Sequence, residues 1–147
     1  MAKKKRKDDK ELANKIIAIV FLVFLIAGGY YLFSMFRPVE INETNIAGEW
    51  KLPGSPVTYY TFRTDGTASS YEKFTGSGEV RNQINYTYYL RTEVSEQTGK
   101  DVYTIVLDEE RGDKRHWEIE VNALSHVQMN ILWKGSEFSS LTRVDVF

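Results

Sequence analysis

The side chains in this sequence that could carry out acid–base, nucleophilic or metal chemistry are few. The chain has no cysteine, which excludes a thiol nucleophile, a thiolate metal site and a disulfide. Its two histidines, His116 and His126, lack the His-Glu-x-x-His spacing of a zinc site and fall at polar positions of predicted strands. A Gly-x-Ser-x-Gly elbow and a phosphate-binding glycine loop are also absent from the sequence. We therefore predict that the chain is not an enzyme and has no catalytic residue, cofactor or metal site.

One acidic cluster, made by Asp108, Glu109, Glu110 and Asp113, has the oxygen chemistry that Ca²⁺ prefers. The cluster lacks the alternating spacing of a dedicated calcium loop, and basic residues at positions 111, 114 and 115 lie among the carboxylates. We interpret it as a solvated hairpin.

A long apolar segment must position whatever follows it. Ile16–Phe36 has no charged residue, and at about 1.5 Å per residue it can cross a hydrocarbon layer of about 30 Å. A secretory signal peptide is the main alternative, but its apolar core has only about 7–15 residues and is followed by small residues at a cleavage site. Here the segment ends in bulky aromatic residues and then Arg37-Pro38. We predict one transmembrane helix, over residues 16–36, that serves as an uncleaved anchor.

The charge on either side of this span predicts its orientation. Residues 1–15 contain seven basic and three acidic residues, a net charge of +4, and the rest of the chain has 12 basic and 17 acidic residues, a net of −5. The positive-inside rule places such a basic tail in the cytoplasm. We therefore expect a single-pass plasma membrane protein with residues 1–15 in the cytoplasm, a linker over 37–44 and an extracytoplasmic domain over 45–147.

From residue 45 onward, the apolar side chains recur with a period of two, which is typical of half-buried strands. Turn sequences such as Asp65-Gly66 separate these segments. The predicted strands cover residues 46–51, 57–64, 67–74, 79–92, 102–108, 114–122, 125–134 and 137–144. With no helical pattern between them, they predict an all-β, antiparallel, up-and-down barrel of about eight strands or, if the sheet does not close, a sandwich.

Three segments of this domain resemble the small bacterial lipocalin-like (calycin-type) domains. They are Asn45–Trp50, Tyr59–Thr67 and Leu141–Arg143. In the wider lipocalin group, a Gly-x-Trp opens the first strand and an arginine near the end of the last strand packs on that tryptophan. Gly48, Trp50 and Arg143 stand at the matching places. The resemblance implies a closed barrel with these three residues as a structural latch, and an interior that can hold a small apolar ligand.

Two functions follow from these observations. The first is a non-enzymatic interaction or assembly module of the cell envelope, with the bilayer and another membrane or envelope protein as its partners. The alternative is a lipocalin-like binder or sensor of a small apolar ligand. A domain of this length with many aromatic residues favours a core filled by side chains, and therefore the first function. The acidic charge of the domain and its lack of a basic stripe argue against nucleic acid as a partner. Asn42 and Asn85 match glycosylation acceptors, which matters only if the source is eukaryotic.

Overall fold

The computed structural model of the chain describes residues 2–133 and 138–144, with side chains from residue 14 onward. The chain divides into two compact units, one up to Met35 and the other from Phe36.

The first unit consists of a single long helix, α1 (Ala2–Phe36), of which only the last residue belongs to the second unit. The helix begins in the basic tail, well before the predicted span, because the tail contains no proline or glycine to interrupt it. Its segment Asn14–Phe36, 23 residues long, is apolar enough to cross a membrane, and the described residues contain no second such helix. The large apolar side chains of this segment are exposed, as a lipid-facing helix requires. The prediction of one long apolar helix before the domain is confirmed.

The connector after α1 packs on the domain that follows. Pro38 forms an isolated bridge with Ser125, and the Val39 N–H donates to the Leu124 carbonyl at 2.9 Å. Val39 and Ile41 then pack against the hydrophobic core. Residues 37–41 therefore belong structurally to the second unit.

A one-turn helix, α2 (Glu43–Ile46), occupies the place where the first strand was predicted to begin. The side chain of Asn42 caps it by accepting from the Asn45 N–H at 2.9 Å, which satisfies a donor that a strand would have paired elsewhere. The expected strand start at residue 46 is therefore wrong, and the first strand begins at Gly48.

The described residues of the second unit form eight strands. They are β1 (Gly48–Leu52), β2 (Val57–Phe62), β3 (Thr67–Lys73), β4 (Val80–Val94), β5 (Asp101–Glu109), β6 (His116–Leu124), β7 (Gln128–Trp133) and β8 (Phe138–Arg143). Each strand pairs antiparallel with the next, and β8 pairs with β1, so the sheet is a closed up-and-down barrel. The predicted fold class is confirmed, and the sandwich alternative is wrong because closure pairs both edges of the sheet.

The turns explain where sequence-based boundaries succeed and fail. In the β2–β3 hairpin, Gly66 has a φ of +79°, and the Asp65 carboxylate accepts from the Thr67 N–H at 2.9 Å, as the Asp-Gly sequence predicts. Before β7, the Ser125 hydroxyl accepts from the Gln128 N–H at 3.0 Å. This turn delays β7 to residue 128, so the predicted start at 125 is wrong and His126 lies in the turn. The predicted end of the seventh strand, at residue 134, and the predicted start of the eighth, at residue 137, lie outside the described residues.

The barrel interior is built from the side chains that alternate inward along each strand. Trp50 and Ile105 are completely buried, and Phe62 meets Tyr88 edge to face at a centroid distance of 5.2 Å. Burial of this apolar surface, at about 25 cal/mol per Å², is the main force that holds the domain together, since no disulfide is available.

Candidate functional site

The residues that the sequence singled out meet where β1 and β8 close the barrel. Trp50 and Arg143 are register partners on these neighbouring strands. The Arg143 Cζ lies 4.4 Å from the centroid of the Trp50 ring, and the ring is fully buried. A guanidinium over the face of an indole is attracted by the negative face of the ring.

The same guanidinium binds the backbone that leads into the barrel. Arg143 Nη1 donates to the Ala47 carbonyl at 2.9 Å, and Nη2 donates to the Asn45 carbonyl at 2.6 Å. The Trp50 indole N–H donates to the Ile46 carbonyl at 2.7 Å. Three successive carbonyls at the end of α2, which have no partner within a helix this short, are thereby satisfied. The first strand, the last strand and the connector are tied together at one point.

Gly48 is the third member of this arrangement, and its position requires glycine. Its φ is +133°, a conformation that residues with a Cβ rarely adopt. A Cβ built there would lie 2.8 Å from Arg143 Nη1. The structure thus places Gly48 and Trp50 each against the Arg143 guanidinium, and we call these three residues the latch.

The interior behind the latch is filled by side chains. A void of about 10 Å³ lies among the inward-facing residues of β2 and β5–β8, lined by Tyr60, Phe62, Ile105, Ile119, Met129, Ile131, Trp133 and Leu141. That volume is about the minimum for one water molecule, whereas ligand pockets measure roughly 300–1,000 Å³. This part of the barrel has no room for a small-molecule ligand.

Aromatic rings from β2, β6 and β7 form a cluster in the barrel. Trp117, at the start of β6, is 41% exposed, and its ring meets that of Trp133 at a centroid distance of 6.3 Å. The ring of Tyr60 also meets that of Trp133, at a centroid distance of 6.0 Å. Burial, and to a lesser extent the neighbouring Tyr86 and Glu72, raise the pKa of Tyr60 to about 12, so its phenol is neutral at physiological pH.

A groove of about 310 Å³ runs between the connector and the β6–β7 hairpin. Its lining combines apolar side chains, such as Val39 and Leu124, with the amides of Asn122, Gln128 and Asn130. No charged side chain lines it among the described residues.

A second groove, of about 220 Å³, lies on the outer face of β4–β7, and we call it the acidic groove. Its lining residues are Arg91, Glu93, Val102, Thr104, Glu118, Glu120 and Leu132. Sequence reasoning missed this site because the charges come from separate strands. The signal was present along β4 and β6, where outward charged residues such as Arg91 and Glu120 alternate with inward apolar ones. Only the strand register shows that the charged residues of these separate strands lie close together.

Arg91 is held at the centre of the acidic groove by two carboxylates. Its Nη1 lies 3.0 Å from Glu118 Oε1, and its Nε lies 3.0 Å from Glu93 Oε1. The hydrogen bond that Arg91 donates to Glu118 makes the largest contribution, and together these carboxylates raise the pKa of Arg91. The side chain of Glu118 is only 14% exposed, so this pair is partly shielded from solvent.

His116 lies at the edge of the same face, between carboxylates of two strands. Its Nδ1 is 2.7 Å from Asp108 Oδ1, and its Nε2 is 3.6 Å from Glu118 Oε1. The hydrogen bond to Asp108 is the main reason that the pKa of His116 is raised. His126, by contrast, is exposed in the β6–β7 turn. Within the described ranges, no three histidine or carboxylate side chains are grouped so that they could hold a metal ion.

The acidic cluster near the β5–β6 hairpin is bound internally. The Asp113 carboxylate accepts from Arg115 Nη2 at 2.6 Å, and the Glu109 carboxylate accepts from the backbone N–H of the same arginine at 3.3 Å. The interpretation of this segment as a solvated hairpin agrees with these contacts.

No protein family model matches the chain, and searches of curated proteins and of solved structures give no match either.

Proposed function

We propose that this chain is a non-enzymatic interaction or assembly module of the cell envelope, held in the plasma membrane by α1. The observation that carries the proposal is the interior void of only about 10 Å³ among the described core residues, which is too small for a ligand and favours binding at the outer surface of the barrel. The outer surface has grooves of about 220 and 310 Å³. A permanent membrane anchor also suits an interaction module that stays at the membrane better than a carrier that must diffuse with its ligand.

The proposed topology has residues 1–15 in the cytoplasm and the barrel outside, with a single pass through the membrane. The exposed apolar segment Asn14–Phe36 and the net charge of +4 before it support this arrangement. Protease added to intact cells or spheroplasts should cleave the barrel domain at exposed loops. Protection of residues 45–147 until the cells are lysed would overturn the orientation.

The barrel is proposed to be lipocalin-like. Its closed up-and-down topology and the contact between Trp50 and Arg143 across the β1–β8 closure support this relationship. The filled interior suggests that the domain uses the architecture without the ligand cavity.

A photo-crosslinking experiment tests the proposed function. A photoreactive amino acid is placed, in the full chain in its native membrane, at an outward position of β5 (Thr104), an outward position of β2 (Thr61) or a hairpin tip (Thr98). An interaction module should give a discrete adduct with another protein from one barrel face and none from the hairpin tip. The absence of protein adducts from both faces would refute the proposal.

Binding of a small apolar ligand is the second candidate, and one observation favours it. Trp117, near the start of β6, is 41% exposed, so a large apolar side chain faces solvent at that end of the strand. A ligand entering at this end would quench and shift tryptophan fluorescence, and mass spectrometry of the intact protein would show a bound small molecule. Retention of such a ligand through purification would favour the carrier over the interaction module.

A further inference from the structure

We propose that the acidic groove, together with Phe138 beside it, docks an extended protein segment that carries basic and aliphatic side chains. This inference rests on the proposed function and names the surface and the chemistry of the partner. It depends on a row of outward side chains that the strand register builds across five strands.

The row runs across the sheet from β4 to β8. In register order, its members are Arg91, Thr104, Glu120, Leu132 and Phe138. Directly opposite side chains on neighbouring strands lie about 4.5–5.5 Å apart, so the five positions span roughly 20 Å. The row changes from charged to apolar along its length, and it ends in Phe138, whose side chain is 74% exposed.

Exposure of a phenylalanine to this degree beside a groove is typical of a contact surface. An isolated apolar side chain on a protein surface needs no explanation, but here Phe138 adjoins Leu132, which lines the groove. Together they form an apolar strip next to the carboxylates. A partner segment can therefore bury aliphatic side chains on the strip while its polar side chains reach the groove.

The charge of the groove indicates the charge of the partner that it would bind. Among the lining side chains that are described, three carboxylates face one guanidinium, a net of −2. Arg91 is occupied by Glu118 and Glu93, but Glu120 has no ion pair or hydrogen bond with any described residue. Glu120 lies between Thr104 and Leu132 in the row, so its carboxylate stands at the junction of the polar and apolar parts. A lysine or arginine next to an aliphatic residue would complement both.

The same charge argues against a second copy of this chain as the occupant. Two such grooves placed face to face would oppose carboxylates, and like charges across an interface are unfavourable. A lipid surface is disfavoured for the same reason, because cellular membranes expose anionic head groups rather than an excess of cationic ones. The observations therefore favour a basic protein segment.

Three labelled heptapeptides serve as probes of full-length protein in uncharged detergent micelles. The first alternates lysine with leucine, the second replaces each lysine by glutamate, and the third keeps lysine but replaces each leucine by serine. Binding is followed by fluorescence anisotropy, with empty micelles subtracted. The first peptide should bind at least threefold more tightly than either of the others. Its affinity should fall several-fold between about 50 and 300 mM salt, since exposed charges are screened over about 10 Å at 0.1 M.

Substitutions locate the binding on the structure. Glu120→Gln and Phe138→Ser should each weaken binding of the first peptide at least threefold, and Glu120→Lys about tenfold. Glu96→Gln and Val80→Ser are matched controls, since both residues are exposed and lie outside the row, and they should leave binding unchanged. Far-UV circular dichroism identifies any variant that fails to fold. The conservative Phe138→Leu keeps an apolar side chain and should retain binding, so it is the control for the loss expected in Phe138→Ser.

Two results would overturn the inference. One is equal binding of the lysine–leucine and glutamate–leucine peptides. The other is a loss of affinity that is as large for Glu96→Gln as for Glu120→Gln. Concentration-dependent dimerisation abolished by Glu120→Gln would instead identify a second copy as the occupant. If the probes fail while photo-crosslinking from Thr61 captures a partner, the interaction function stands and only the assignment to this face is wrong.

Discussion

Removal of the Arg143 guanidinium should destabilise the barrel more than loss of an ordinary surface charge. The substitution Arg143→Ala deletes two hydrogen bonds, of 2.9 and 2.6 Å, from a charged donor to the carbonyls of Ala47 and Asn45. Hydrogen bonds to charged groups contribute about 1.5–3 kcal/mol each, and a desolvated cation–π contact about 2 kcal/mol. Because these contributions overlap and the arginine is costly to desolvate, we expect a net loss of about 2–4 kcal/mol.

A double-mutant cycle tests whether this loss comes from the latch. Trp50→Ala should cost about 3–5 kcal/mol, as for other buried large rings, and it also leaves the Ile46 carbonyl without its indole donor. Since the two side chains touch, the double variant should be more stable than the sum of the single losses predicts, by more than about 0.5 kcal/mol. The free energy of unfolding is measured by urea denaturation of a soluble fragment, residues 37–147, with circular dichroism as the probe.

The matched control is Arg63→Ala, which removes an exposed arginine from the β2–β3 hairpin and should change stability by less than about 0.5 kcal/mol. If the double variant does not fold, Arg143→Lys and Trp50→Phe give a milder cycle with the same expected sign. Strict additivity in either cycle would refute the reasoning, because residues that contact each other cannot lose their interaction twice.

Three further predictions follow from the same structure. A fragment of residues 42–147 should be less stable than one of residues 37–147 by about 2 kcal/mol, because it lacks the connector that packs on the core; equal urea midpoints would contradict this. Gly48→Ala should lower the urea midpoint, because it combines a φ of +133° with a contact of 2.8 Å, and a neutral result would contradict the required backbone geometry. His116 has a raised pKa in the folded state, so its contribution to stability is complete below the ordinary value of about 6.5 and is lost as pH rises through the folded-state pKa. NMR titration should show the pKa of His116 falling in Asp108→Asn, and an unchanged value would exclude Asp108 as the cause.

The sequence by itself determined the elements of this protein and the order in which they occur. An uncharged segment of membrane-spanning length and apolar residues with a period of two are local patterns, so they can be read without knowledge of distant contacts. The Asp65-Gly66 hairpin is equally local, since its backbone conformation depends on the two residues themselves. The same local reasoning placed the first strand two residues early, because the Asn42 cap and the contacts of Arg143 favour one turn of helix there.

Only the tertiary structure decided which strands became neighbours and with what register. The contact between Trp50 and Arg143 joins residues from the two ends of the domain, and it exists because the sheet closes. The acidic groove depends still more on register, because a shift of one residue in any pairing would turn Glu120 or Leu132 toward the interior. Cross-strand geometry is set by the packing of the whole core. For that reason, the helix and the strands could be predicted from the sequence, whereas the groove that we propose as the docking site could not.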